Sequence, residues 1–154
     1  MNNRDLHGIS QNLSDLLRIR LENKETCADV IETYESLTCL TWDFVSRFVG
    51  PRGTKALMER STTLAGLHAH LVLKLQIGDE GVDFDGLRAF VEQAGCDRAE
   101  LVNALLRLSV RIFWTLDELA GDALHGPLLR HLKKDDHREN SISGCCDSNG
   151  RNGK

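Results

Sequence analysis

The stretch DRAELVNALLRLSVRIFWTLDELAG, residues 97–121, decides the fold. Leu101, Leu105, Leu108, Ile112, Leu116 and Leu119 recur every three or four positions, a stripe at about 100° per residue on a helix. Val102, Leu106 and Phe113 lie beside it, and Val110 and Trp114 extend the apolar arc, leaving a narrow polar arc at Arg107, Arg111 and Glu118. Asp97 and Glu100 have the spacing of a capping box, and Gly121 is placed to stop the helix. A helix apolar over so wide an arc needs cover from several directions. A membrane span does not fit, because Arg107 and Arg111 interrupt the segment before it reaches the roughly 18 uncharged residues a bilayer requires.

Working outward, a first helix is expected at Ser10–Glu22 with Leu13, Leu16, Leu17 and Leu21 on one face. Thr26, with Asp29 three residues on, offers a cap for a second long helix reaching Val49. Its face is Cys27, Val30, Ile31, Tyr34, Leu37, Phe44, Val45 and Phe48, widened by Leu40 and Trp42. Gly50, Pro51, Arg52 and Gly53 end it, since proline cannot donate to the ladder and glycine supplies tight-turn angles. A third helix is expected over Thr54–Gln76, with Leu57, Leu64, Leu71, Val72 and Leu75 in its stripe and His68 near the centre. The acidic turn GDEGVDFDG, a short helix Phe84–Ala94, and a last helix with Leu124, Leu128 and Leu132 complete the pattern. The fold class is therefore all-α: a bundle of four to six helices, two of them long and broadly apolar (26–49 and 97–120), with Gly/Pro corners.

At 154 residues the chain fits one domain with a real core. That domain is expected at 1–134. Residues 135–154 carry one large aliphatic, Ile142, and read as a disordered polar tail. The run RFVGPRGTKALMERSTTLAGLH (47–68), the acidic turn, the leucine-rich helix and ELAGDALHGPLLRHL (118–132) together resemble a group of small bacterial helical proteins of unknown function. The resemblance carries no functional residue across.

A net charge of −4 gives no drive toward nucleic acid, whose binding depends on phosphate neutralisation. The opening MNNRDLHGISQNL lacks the apolar run of a signal peptide, so a cytoplasmic protein is expected. Five cysteines without a C-x-x-C pair then read as free thiols. Nothing in the pattern asks for a cofactor.

His68, centred in an apolar stripe, needs a partner and is the candidate anchor for a ligand. His70 lies on another helix face and cannot chelate with it. There is no Glu-x-x-His, which argues against a di-iron bundle. The turn Gly81–Glu92 places Asp83, Asp85, Gly86 and Glu92 at EF-hand positions but lacks the first oxygen ligand, so Asp83 or Asp85 is better read as a helix cap. Arg52 and Lys55 at a helix start could hold an anion, although this is no Walker A loop. No serine sits in a nucleophile elbow, and no enzyme is indicated.

Two broadly apolar helices are hard to enclose with short partners. The expected function is therefore non-catalytic association of a regulatory or adaptor kind, as a homodimer and with other proteins. Tyr34, Leu37, Phe44 and Phe48 are its candidate interface. The alternative is an apolar ligand or cofactor bound in the core beside His68.

Overall fold

The computed structural model describes residues 3–134 and shows an all-α protein. Helix α1 (Asn3–Arg20) leads to α2 (Cys27–Gly66). A 3-10 turn (His70–Lys74) enters a two-stranded hairpin, β1 (Gln76–Ile77) and β2 (Val82–Asp83). Then follow α3 (Asp85–Ala94), α4 (Arg98–Ala120) and α5 (His125–Lys134). None of the described helices is long and apolar enough to cross a membrane.

The α4 stripe is largely as its spacing implies. Leu101, Leu105 and Leu116 are fully buried, with Leu108 and Ile112 nearly so, while Leu119 at the helix end is 62% exposed. Removing each such leucine from water contributes about 1.5–3 kcal/mol. One detail of the ends separates expectation from structure. Gly121, with φ 67, does stop the helix, but the Asp97 side chain makes no capping bond, so the capping box is not formed. Thr26 does cap α2, its Oγ1 accepting from Asp29 N at 3.1 Å.

Helix α2 has two arms, 27–49 and 51–66, joined at Gly50 (φ 78, ψ 169). Pro51 opens the second arm, where a missing N–H costs nothing. Thr54 Oγ1 donates to Gly50 O at 2.7 Å and lies 3.1 Å from Ser46 Oγ, bracing the elbow.

The third helix expected over Thr54–Gln76 ends ten residues early, at Gly66. Leu73 packs where a Gly66 side chain would sit: an added Cβ would lie 2.3 Å from Leu73 Cδ2. That contact lets the chain fold back on itself. Leu71, Val72 and Leu75 are still buried, but from the 3-10 turn and the start of the hairpin. The acidic turn is ordered as well: Gln76 pairs with Asp83 and Ile77 with Val82, and Gly78 N donates to Gly81 O at 2.8 Å.

The core centres on the packing of α2 against α4. Helix α1 lies against α4, and α5 against α2. Leu13, Leu16 and Leu17 of α1 and Leu132 of α5 gather around Tyr34 and Leu37, while the His131 ring lies 5.4 Å from that of Phe44. Two arginines fix these outer helices. Arg20 Nη2 donates to Leu132 O at 2.6 Å. Arg98 donates to Lys24 O at 2.8 Å and Leu21 O at 3.1 Å, satisfying carbonyls after the end of α1.

Candidate association surface

Tyr34, Leu37 and Phe44 are buried inside the chain at 2, 6 and 8% exposure, leaving Phe48, at 55%, as the open member of the expected interface. Helices α1 and α5, each amphipathic, supply the cover that the first long helix needs. Neither helix covers that face alone, since Leu13, Leu16 and Leu17 of α1 share it with Leu132 of α5.

Among the described residues, exposed large apolar side chains stand at Ile19, Phe48, Leu67, Leu73 and Leu119, and a continuous half-exposed row lies on α4. Val102, Leu106, Val110 and Trp114 follow one another at intervals of four and so share a face; each is only half-buried. On one side of them α4 and the end of α2 form an open groove of about 300 Å³, lined by Leu64, Ala65, His68, Leu106, Val110 and Trp114. Asn103, Arg107 and Arg111 form its rim. On the other side α4 and α1 form a groove of about 320 Å³, with Leu17, Leu21, Val102 and Leu106 in its walls. Leu106 belongs to both.

The charges on this surface are mostly positive. The first groove has Arg107 and Arg111 in its lining and no carboxylate. The Arg111 guanidinium sits 4.5 Å from the Trp114 ring centre, an attraction to the ring's negative face that holds the cation beside the apolar floor. The second groove has Arg18, Arg98 and Glu22. Arg18 is 3.4 Å from Asp15, and Arg98 is occupied with backbone carbonyls.

His68 is not the buried stripe residue that its position suggests. It follows the end of α2, exposed, with its backbone N–H donating to Ala65 O at 3.1 Å. The helix whose periodicity would have buried it stops two residues earlier. The structure nevertheless puts it in the lining of the groove between α4 and the end of α2.

Arg52 and Lys55 lie in the first turn of the second α2 arm. Lys55 Nζ meets Asp79 Oδ1 at 2.8 Å, so the hairpin supplies the anion for that lysine. The contact lowers the Asp79 pKa and raises that of Lys55. Arg52 is exposed. In the EF-hand-like turn, Asp83 Oδ1 accepts from Asp85 N at 2.8 Å and opens α3. Arg88, one turn on, bonds Glu35 of α2 as well as Asp85, and its pKa is raised chiefly by Glu35. Among the described residues no group of three or more His, Cys, Asp or Glu side chains is placed to hold a metal.

The cysteines divide. Cys27 and Cys96 are free and half-buried. Cys39 is buried and disulfide-bonded, departing from the expectation of free thiols. Cys145 and Cys146, like the rest of the expected tail, lie outside the described residues.

Comparison with family models, curated proteins and solved structures finds no match to this chain. The functional reading rests on the α4 surface.

Proposed function

We propose that this is a non-catalytic protein that acts by association, receiving an acidic amphipathic helix of another protein along α4. The carrying observation is the half-exposed row Val102, Leu106, Val110 and Trp114 between two grooves. A partner helix would lay its i, i+3/i+4, i+7 apolar residues on that row, and its carboxylates would meet Arg107 and Arg111. The charge favours such a partner over a second copy. A two-fold pairing of this face would bring the arginines of one copy toward those of the other, and opposed like charges disfavour an interface. Of the homodimer interface expected at Tyr34, Leu37, Phe44 and Phe48, the first three are buried within the chain and Phe48 alone is open.

The test uses a designed helix with leucines on one face and glutamates on the other. Binding is read from Trp114 emission, Trp42 being 7% exposed, and from amide shifts. Saturable shifts confined to α4 and the end of α2, weakened by salt and lost in Leu106→Glu, support the reading. Equal binding of the lysine version of the peptide, or no shifts on α4, sinks it. Decanoate binding beside His68 without peptide binding replaces it with the ligand alternative. Light scattering on the same samples reports whether two copies associate at all.

A further inference from the structure

Cys27 and Cys96 lie 69 positions apart in sequence and meet at one corner of the fold. Cys27 is the first residue of α2, directly after its Thr26 cap. Cys96 sits in the turn between Gly95, whose φ of 75 closes α3, and the start of α4. The Cys27 Sγ donates to Cys96 O at 3.3 Å, and the Cys96 Sγ to Asp97 O at 3.3 Å. The Cys96 thiol is pushed up to about 11, first by burial and then by the Cys27 thiol beside it. The corner is otherwise held by the two hydrogen bonds of Arg98 to Lys24 O and Leu21 O.

We propose that Cys27 and Cys96 form a reversible dithiol–disulfide site that locks the α1–α2 corner to the start of α4 on oxidation by a peroxide. The balance is two thiols and one hydrogen peroxide giving one disulfide and two waters. One cysteine, as thiolate, attacks a peroxide oxygen to give a sulfenic acid and, after protonation, the first water. The second attacks the sulfenic sulfur, the S–S bond forms, and the hydroxyl leaves as the second water. A small dithiol reverses the step by thiol–disulfide exchange. Because the thiolate is the reacting form, the raised Cys96 pKa makes the reaction slow at neutral pH and faster as pH rises. A ring closed between positions so far apart restricts the unfolded chain strongly. The Cys27 thiol already reaches the Cys96 backbone, so little native rearrangement offsets that gain.

The full chain is treated with hydrogen peroxide at pH 7 and pH 9, blocked with iodoacetamide and digested after glutamate. Cleavage at Glu25, Glu32, Glu35, Glu92 and Glu100 separates Cys27 and Cys96 from Cys39 and from the cysteines at 145 and 146. The expected result is one cross-linked species joining fragments 26–32 and 93–100, lighter by two hydrogens than their sum. It forms faster at pH 9, raises Tm by about 10 °C, and is reversed by dithiothreitol. Cys27→Ser and Cys96→Ser, each soluble and helical by circular dichroism, should lack both the cross-link and the Tm shift. Separate alkylation of both cysteines after peroxide, a sulfinic acid on either without a cross-link, or a cross-link that lowers Tm overturns the proposal.

Discussion

Ser61 Oγ donates to Thr115 Oγ1 at 3.2 Å across the α2–α4 contact, with Ser61 fully buried and Thr115 at 3% exposure. Thr115 in turn donates to Arg111 O at 2.9 Å. A short polar chain thus runs through an otherwise apolar junction and sets the register of the two central helices. Thr115→Val removes the acceptor and strands a buried hydroxyl, so it should cost about 1–3 kcal/mol in urea unfolding. Ser61→Ala should cost about 1 kcal/mol. The double variant should cost less than the sum, because no polar group is then stranded; additive losses would show that the pair is not coupled.

Tyr34 is the one tyrosine of the chain, which makes its ionisation directly visible by absorbance at 295 nm. Its hydroxyl is buried in a space of about 20 Å³ near Ser109 but has no hydrogen-bond partner at good geometry. Burial raises its pKa well above the ordinary value of 10.0, and Ser109 opposes this only in part. The neutral form therefore favours the fold. That stabilisation is complete below pH 10 and declines as pH rises past it, where the unfolded chain ionises and the native one does not. Tyrosinate should appear together with loss of helical signal. Ionisation near pH 10 with helicity intact would contradict the burial.

Gly50 has φ 78 and ψ 169, a region that residues with a Cβ avoid. An added Cβ would meet no atom within 4 Å, so the cost of Gly50→Ala is purely conformational. It should lower stability by about 1–3 kcal/mol in denaturant melts. A neutral Gly50→Ala would mean that the elbow adopts another conformation.

Asp79 is held below its ordinary 3.8 by Lys55. The favourable ionised state is present above that value and is lost as pH falls through the lowered midpoint. Carbon-detected titration should place the Asp79 midpoint below 3.8 and return it toward that value in Lys55→Gln. Because both side chains are solvent-exposed, the melting temperature should hardly change.

The sequence made the central helices legible because their spacing was unambiguous and their caps were local: Thr26 with Asp29, Gly121 after Ala120. The break at Gly66 was hidden. A 3-10 turn also buries Leu71 and Val72, so the apolar rhythm runs on past the point where the helix stops, and His68 was misplaced with it. That Tyr34, Leu37 and Phe44 are covered within the chain was hidden for a different reason. Periodicity shows which residues seek cover but not which neighbour supplies it, and Tyr34 and Phe44 are covered from opposite ends of the chain. The Val102, Leu106, Val110 and Trp114 row was visible as part of the arc, yet only packing showed that it stays half-open. The meeting of Cys27 with Cys96 had no local signal at all.

The bond from Arg20 to the carbonyl of Leu132 spans 112 positions, and it has a bearing on biosynthesis. A nascent chain emerges with α1 alone to cover Tyr34 and Leu37 and without the α5 side chain that lies against Phe44, and α5 is made last among the described helices. Until then the growing polypeptide carries a sticky helical face that a chaperone would recognise. A truncation that stops before α5 should accumulate in aggregates even though both central helices are intact.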